Sequence, residues 1–253
     1  MVSQPRVIAL VQARMGSSRL PGKSLITLGG RPLLAHVLER VAAAEGVDEV
    51  VLATTVHDRD DPLVTIATAF GLRTWRGDEA DVLGRMRGAA RWARADIVLR
   101  VTGDCPLFCP DIATSALRCY QTHAYAYPAG LYVWNDTARS GYPDGTDVEV
   151  FSRALLEHAA DVTWNRRDRE LLTPSRHHDL EHVTPPVRRL ADAVMTIPAP
   201  CRLARLKLSV DDERDLERVR VVYAHLRGVT FGALLEACVE AGLAQREEVE
   251  MSG

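Results

Sequence analysis

The sequence lacks the features of several protein classes. Its five cysteines are an odd number scattered from position 105 to position 238, unlike the dense and even framework of a small secreted domain. Lysine and arginine total 31 against 34 for aspartate and glutamate, so the chain has no overall basic excess of the kind that coats nucleic acid. We therefore expect a reducing compartment and no nucleic-acid partner.

Long apolar runs are also absent. No stretch reaches the roughly 18 to 20 consecutive apolar residues that a membrane-spanning helix needs. Residues 1–5 lead directly into a short apolar run, without the basic and apolar regions of a signal peptide. The apolar content is 47% and the charged content is 26%, which are ordinary values for a globular protein and exclude a disordered or fibrous chain. We expect a cytoplasmic protein with no membrane association.

Short apolar runs alternate with helical patterns through the first part of the chain. The runs predict buried strands at residues 7–11, 49–55, 72–75 and 97–101. Apolar residues at helical spacing predict helices at residues 32–41, 62–70 and 79–93. This alternation predicts an α/β fold in which helices cover both faces of a mostly parallel sheet. The chain length fits a single domain over residues 1–253.

The pattern is less regular after Pro110. Residues 125–145 are rich in aromatic residues, proline and glycine, and we expect an insertion or lid over residues 123–190. Further strands are predicted at residues 148–151 and 206–210. Helices are predicted at residues 110–120, 154–160, 213–226 and 230–241.

A loop rich in small and basic residues follows the first predicted strand. It spans residues 12–23, QARMGSSRLPGK, and provides two hydroxyl groups, two guanidinium groups and one ammonium group. Open α/β sheets bind ligands beyond the carboxyl ends of their strands, and small residues let the backbone approach an anion. The loop is therefore a candidate polyphosphate site, although scattered charges are also typical of a solvated surface loop.

The same loop differs from the phosphate loop of ATPases and kinases. Its ending, Gly22-Lys23-Ser24, matches that motif, but the motif separates its two glycines by four residues, whereas Gly16 and Gly22 enclose five. The lysine of that motif also leads directly into a helix, whereas here the helical pattern begins only at Pro32. These departures argue against that chemistry.

Two aspartates, Asp104 and Asp211, each follow a predicted buried strand. Aspartate in such a position can simply cap a helix or form a turn. Carboxylates at the ligand-binding edge of a sheet also suit Mg²⁺, which takes few protein oxygens and adds phosphates and water. A zinc site at Cys105, Cys109, Cys119 and His123 is disfavoured, because the spacing is unusual for structural zinc.

These segments resemble the motifs of the cytidylyltransferases that activate acidic sugars, such as acylneuraminate and KDO cytidylyltransferases. The resemblance is closest to the SpsF-like branch, which serves spore coat polysaccharide biosynthesis. Residues 142–151, YPDGTDVEVF, and residues 181–185, EHVTP, also look like family motifs. The resemblance implies a Rossmann-like nucleotide-diphospho-sugar transferase fold, CTP as substrate, magnesium on Asp104 and Asp211, and an acceptor-side role for region 123–190.

We combine the loop chemistry with this resemblance to predict three groups of site residues. The predicted catalytic residues are Arg14, Arg19, Lys23, Asp104 and Asp211. The predicted nucleotide-binding residues are Gln12, Ala13, Arg14, Met15, Gly16, Ser17, Ser18, Lys23, Asp81, Arg85, Arg100, Thr102 and Gly103. The predicted acceptor-binding residues are Tyr142, Asp147, Glu149 and His182.

The predicted activity is Mg²⁺-dependent transfer of CMP from CTP to a small anionic acceptor, an acidic sugar or a phosphonate, by a homodimer. The alternatives are a nucleotidyltransferase with another base, a glycosyltransferase that uses a finished nucleotide sugar, and a non-catalytic nucleotide sensor. The sequence also contains a cluster of basic residues. This cluster either forms a solvated face or creates a local positive field that attracts an anion. It comprises Arg166, Arg167, Arg169, Arg176, His177, His178, Arg188 and Arg189.

Overall fold

The computed structural model describes residues 4–128, 130–167 and 182–249. Within these ranges the central sheet has seven strands in the order β5-β4-β1-β6-β8-β7-β9, and β2 and β3 form a separate hairpin. The strand bounds are Val7–Gln12 (β1), Thr27–Leu28 (β2), Arg31–Pro32 (β3), Glu49–Thr55 (β4), Arg73–Gly77 (β5), Ile97–Thr102 (β6), Leu131–Trp134 (β7), Glu149–Ser152 (β8) and Ala193–Thr196 (β9). Strand β8 is antiparallel to its neighbours, and the other strands of the sheet are parallel to one another.

Helices lie on both faces of this sheet. Their bounds are Leu33–Ala42 (α1), Asp61–Ala69 (α2), Val82–Trp92 (α3), Pro110–His123 (α4), Arg153–Arg167 (α5), Thr184–Leu190 (α6), Glu213–His225 (α7), Phe231–Glu240 (α8) and Arg246–Val249 (α9). Among the residues described, no helix combines the length and apolarity needed to cross a lipid bilayer.

Alternate residues of β1 explain why both faces need helices. Ala9 and Val11 pack into one apolar cluster, with buried residues of α1, α4, α7 and α8. Ile8 and Leu10 pack into the other cluster, with buried residues of α3 and α5. Because successive side chains of a strand point to opposite faces, a run that is apolar throughout must be covered on both. The predicted α/β architecture with a mostly parallel sheet is confirmed.

The prediction of a strand at residues 206–210 is wrong. Leu208 and Val210 are buried, which produced the strand-like pattern. The segment makes one isolated bridge, between Asp144 and Lys207, and no ladder. The bridge does not extend into a ladder, because the Val210 N–H, two residues after the Leu208 donor, donates to the Asp104 carbonyl.

Region 123–190, where we expected an insertion or lid, contributes two strands to the central sheet. Strands β7 and β8 are paired sheet strands, and buried side chains of α5 pack into the core with Phe151 of β8. The continuous burial of Leu131, Tyr132 and Val133 explains this position. The segment 168–181 lies outside the described residues.

Candidate active site

A cleft of about 350 Å³ opens beyond the carboxyl ends of β1 and β6. Most of its walls come from the predicted nucleotide loop and the ends of these two strands, and Ser24 and Val82 are additions that we did not predict. Its lining residues are Gln12, Ala13, Arg14, Gly16, Ser17, Ser18, Arg19, Lys23, Ser24, Val82, Arg100, Thr102, Gly103, Asp104, His182 and Asp211.

The loop is held by its own backbone at Met15. The Met15 carbonyl accepts hydrogen bonds from the N–H groups of Ser17, at 2.9 Å, and Gly22, at 3.3 Å. Gly22 has a φ of 70°, a left-handed conformation that favours glycine and lets the chain turn into the 3₁₀ helix Lys23–Leu25. Met15 does not line the cleft, so it supports the loop from behind.

Asp60 anchors this loop to the sheet, and the sequence analysis missed it. Its Oδ1 accepts the Met15 N–H at 2.9 Å, while its Oδ2 accepts hydrogen bonds from the hydroxyls of Thr54 and Thr55. Burial alone would raise the pKa of Asp60, but hydrogen bonds from Thr55, Met15 and Thr54 outweigh burial and lower it. Asp60 follows the end of β4, so the rule that pointed to Asp104 could have found it.

The floor of the cleft depends on close contact between β1 and β6. The Gly103 N–H donates to the Gln12 carbonyl at 2.8 Å. A Cβ atom at position 103 would lie 2.7 Å from the Ala13 Cβ, closer than real Cβ atoms approach other atoms. Glycine at this position therefore lets the two strand ends meet beneath the cleft.

Lys23 joins the two predicted metal ligands. Its Nζ lies 2.8 Å from Asp104 Oδ2, 3.2 Å from Asp211 Oδ1 and 2.7 Å from the Val210 carbonyl. The guanidinium of Arg19 lies 2.9 Å from the same Asp211 oxygen. The Val210 N–H donates to the Asp104 carbonyl at 2.8 Å, which fixes the two acidic segments side by side.

A second lysine and a buried aspartate hold the Asp211 segment. Asp215 accepts hydrogen bonds from the N–H groups of Asp211 and Asp212 and from the Lys207 ammonium, while Asp212 caps α7 in a capping box with Asp215. Burial would raise the pKa of Asp211, but hydrogen bonds and charge from Lys207 and Lys23 outweigh burial and lower it. Asp211 is thus kept ionised without itself being the helix cap.

The pair Asp104 and Asp211 fits a divalent cation. Both carboxylates already lie within hydrogen-bonding distance of one positive group, the Lys23 ammonium. Mg²⁺ commonly binds through one or two carboxylates together with substrate phosphates and water. Among the residues described, no group of three or more histidine, cysteine or acidic side chains forms an all-protein metal site.

Arg100 and Glu149 form a buried ion pair under the cleft. Arg100 Nη1 lies 2.8 Å from Glu149 Oε1, and Arg100 Nη2 donates to Gln12 Oε1 at 3.1 Å. Thr184 also donates its hydroxyl to Glu149. The acceptor contact of Glu149 stays a prediction: Arg100 and Thr184 hold its Oε1, and Arg100, not Glu149, is among the residues that line the cleft.

Two other predicted acceptor residues lie away from the cleft wall. Tyr142 is buried against the ring of Phe231 and donates its hydroxyl to the Pro198 carbonyl, so it is a core residue. Asp147 accepts hydrogen bonds from the Gly145 N–H and the Thr137 hydroxyl, and burial raises its pKa to about 6. His182 is exposed and lines the cleft, and its contact with the acceptor stays a prediction.

Three of the predicted nucleotide-binding residues, Arg14, Asp81 and Arg85, take different positions relative to the cleft. Arg14 lines the cleft and donates to the Glu79 carbonyl at 3.1 Å. Arg85 is buried and donates to the Asp78 carbonyl, and burial, with the nearby charge of Arg14, lowers its pKa to about 10. Asp81 caps α3 by accepting the Gly84 N–H at 2.8 Å. Asp81 and Arg85 support the cleft from outside its lining.

Much of the predicted basic cluster lies outside the described residues. This applies to Arg169, Arg176, His177 and His178, and to the side chains of Arg166 and Arg167. Arg188 and Arg189 are described, and both are exposed on α6.

Comparison with known sequences decides the family. The sequence model of the family described as "Cytidylyltransferase" matches residues 8–221, most of the chain. The chain belongs to the cytidylyltransferase family. The matched range contains the nucleotide loop, Asp104 and Asp211. The resemblance drawn from the sequence motifs is therefore confirmed, and a glycosyltransferase is disfavoured.

Individual relatives agree with this assignment. The chain is 30% identical to the 3-deoxy-manno-octulosonate cytidylyltransferase of Thioalkalivibrio sulfidiphilus over 225 residues, covering 86% of each chain. It is 28% identical to the spore coat polysaccharide biosynthesis protein SpsF of Bacillus subtilis, again covering 86% of each. A solved structure of a cytidylyltransferase from Leptospira borgpetersenii superposes with a TM-score of 0.82 at 25% identity and covers 99% of both chains.

Proposed function

We propose that this cytidylyltransferase transfers CMP from CTP to an acidic sugar, with Mg²⁺ bound by Asp104 and Asp211 and with release of pyrophosphate. The observation that carries the proposal is the convergence of both carboxylates on Lys23 at a cleft that Arg14 and Arg19 also line. The similarity to the 3-deoxy-manno-octulosonate cytidylyltransferase of T. sulfidiphilus supports an acidic sugar as acceptor.

In this mechanism the cationic side chains act mainly by charge. Arg14, Arg19 and Lys23 bind the triphosphate and offset the charge that accumulates on pyrophosphate as it leaves. Lys23 and Arg19 exchange their contacts with Asp104 and Asp211 for phosphate oxygens. The two carboxylates are the residues that would hold Mg²⁺, which when bound supplies further neutralisation of phosphate charge.

The bond changes are those of an in-line substitution. A hydroxyl oxygen of the acceptor forms a bond to the α-phosphorus of CTP, and the bond from that phosphorus to the bridging oxygen breaks. Pyrophosphate leaves with the electron pair of the broken bond. The exposed imidazole of His182, which lines the cleft, takes the proton from the attacking hydroxyl.

The Asp104→Asn variant tests the proposal. We expect kcat to fall at least about 100-fold, because an amide binds Mg²⁺ less well and does not neutralise Lys23. The assay measures pyrophosphate release from CTP and Mg²⁺ with a panel of acidic sugars and phosphonates. Asp161→Asn is the matched control, because it makes the same change in a surface ion pair with Arg87. Near-normal turnover by Asp104→Asn would refute the assignment.

Three parts of the sequence-based prediction extend beyond the family assignment. Magnesium dependence would appear as loss of pyrophosphate release after treatment with a chelator and its recovery on addition of MgCl₂. A homodimer would appear as twice the chain mass of 27.9 kDa in analytical ultracentrifugation. A cytoplasmic location would appear as activity in the cytosolic fraction.

A further inference from the structure

A recess of about 600 Å³ lies at the carboxyl ends of strands β7 and β9, on the side of the sheet where the nucleotide cleft opens. Its sheet side is formed by Trp134 and Thr196, the last residues of β7 and β9. These strands run parallel to β1 and β6, so the recess opens at the same edge of the sheet as the cleft. Its size lies within the range of about 300 to 1,000 Å³ that is usual for small-molecule sites.

Strand register connects the recess to the cleft. Thr196 pairs with Trp134, Trp134 pairs with Glu149, and Glu149 pairs with Arg100. Arg100 lines the nucleotide cleft. Directly paired residues place their side chains on one face, and neighbouring strands lie about 4.8 Å apart. The Trp134 position is therefore two strands, or roughly 10 Å, from the Arg100 position.

A short chain segment also joins the two cavities. His182 lines the cleft, and Pro185, three residues later, lines the recess. Thr184 lies between them and donates its hydroxyl to Glu149. A sugar acid bound in the recess would therefore extend toward His182 and the cleft.

The recess has the charge that an acid requires. The Arg188 guanidinium lies 4.7 Å from the ring centre of Trp134, a cation–π contact that orients its plane. Within the described ranges, the side chains of Arg188 and Arg139 make no hydrogen bond or ion pair, whereas Arg87, Arg91 and many other arginines do. Two such guanidinium groups outweigh the one carboxylate of Asp136 in the same recess.

The remaining walls suit a carbon skeleton. Pro185 and Val194 are apolar, and Val194 is 45% exposed. A planar guanidinium can bind both oxygens of a carboxylate at once. Apolar walls beside such a group are typical of small-molecule sites, in which a few polar groups fix orientation.

We infer that this recess binds the acidic acceptor and that Arg188, oriented by Trp134 and assisted by Arg139, binds the acceptor carboxylate. The inference rests on the proposed function, because it locates the second substrate of that reaction. It assigns selection for acidic acceptors to α6 and the ends of β7 and β9, while CTP is bound over β1 and β6.

The test compares the Michaelis constants of the two substrates in the Arg188→Gln variant. The probes are 3-deoxy-manno-octulosonate, other sugar acids, and the methyl ester of each acid. We expect the KM for a sugar acid to rise at least about tenfold, since a charge-assisted hydrogen bond is lost. The KM for CTP should change less than about twofold, and use of the methyl ester should not change. Arg188→Lys, which keeps the charge without the planar group, should be intermediate.

Arg205→Gln is the matched control, because Arg205 is another exposed arginine without a side-chain partner in the described residues and lies in a different recess. It should leave both constants unchanged. An unchanged KM for the sugar acid in Arg188→Gln, in an enzyme that turns over, overturns the inference and leaves the proposed function standing. If the wild-type protein releases no pyrophosphate with any acid of the panel, both are overturned.

Discussion

The ammonium of Lys23 and the carboxylate of Asp104 form a direct ion pair, 2.8 Å long, although the two residues are 81 positions apart. Lys23 also lies 3.2 Å from Asp211. The same two carboxylates are the proposed metal ligands. A divalent cation at these carboxylates would therefore compete with Lys23 when no nucleotide is bound, and Lys23 would leave the carboxylates to the cation once phosphate oxygens are available.

Replacement of this ammonium should make the protein more responsive to magnesium. In Lys23→Met, Asp104 loses its ion-pair partner, and we expect the free energy of unfolding to fall by about 1–3 kcal/mol. Millimolar MgCl₂ should then raise the melting temperature more in the variant than in the wild type. Thermal unfolding in MgCl₂ and in NaCl of equal ionic strength measures this. Equal shifts in both proteins would contradict a shared site.

Asp60 should affect nucleotide binding without touching the nucleotide. In Asp60→Asn the charged acceptor for Met15 N–H and Thr54 is lost, so the loop is held less firmly. We expect the KM for CTP to rise about tenfold and stability to fall by about 1–3 kcal/mol. Steady-state kinetics and urea unfolding measure these changes. Asp58→Asn, an exposed neighbour, is the control, and equal behaviour of the two variants would dismiss the anchoring role.

Asp147 should make stability fall as pH rises. Burial, with added repulsion from Asp144 and Glu149, raises the pKa of Asp147 to about 6, whereas an unfolded aspartate titrates near pH 4. The folded state therefore binds the proton more tightly. This proton stabilises the folded state fully below about pH 4, and the stabilisation is lost as the pH rises through about 6. The free energy of unfolding changes by roughly 3 kcal/mol over this range.

The Asp147→Asn variant tests this pH dependence. Its free energy of unfolding, taken relative to that of the wild type, should be higher at pH 7 than at pH 4.5. Urea unfolding of both proteins at the two pH values measures this difference. Acid-sensitive groups elsewhere cancel in the comparison, because both proteins contain them. A constant difference between the two proteins across this pH range would show that the Asp147 carboxyl does not titrate there.

The buried pair of Arg100 and Glu149 should show strong coupling. Glu149→Leu leaves the Arg100 charge buried without its partner, and we expect a loss of about 3–5 kcal/mol in unfolding free energy. The double variant Arg100→Met/Glu149→Leu should lose less than the sum of the two single variants. Chemical denaturation of all four proteins gives the double-mutant cycle. Additive losses would mean that the pair is not coupled.

The parts of the fold that the sequence predicted are those with a continuous apolar signal. Val7–Gln12 and Glu49–Thr55 were recognisable because both faces of a central parallel strand are buried. Ala193–Thr196 was missed because this edge strand is short and only partly buried. Residues 206–210 gave a false strand because alternating apolar residues in the sequence do not reveal where backbone hydrogen bonds go.

The same limit applies to the site. Lys23, Asp104 and Asp211 could be grouped because each follows the end of a strand or extended segment at one sheet edge. Tyr142 and Glu149 were assigned to the acceptor by motif, but their side chains turn into the core and toward Arg100. Spacing along the chain could not show those directions. Arg188 was noticed as a charge, but its contact with Trp134 depends on tertiary structure.

The contact between Lys23 and Asp211 has a consequence for protein synthesis. Lys23 is made early, yet its partner Asp211 is 188 positions later. A chain still growing on the ribosome can present the basic loop and the first acid long before the second acid emerges. Turnover should therefore be absent from chains that end before Asp211, and it should appear only in chains that also contain α7 and α8, whose buried side chains complete the core.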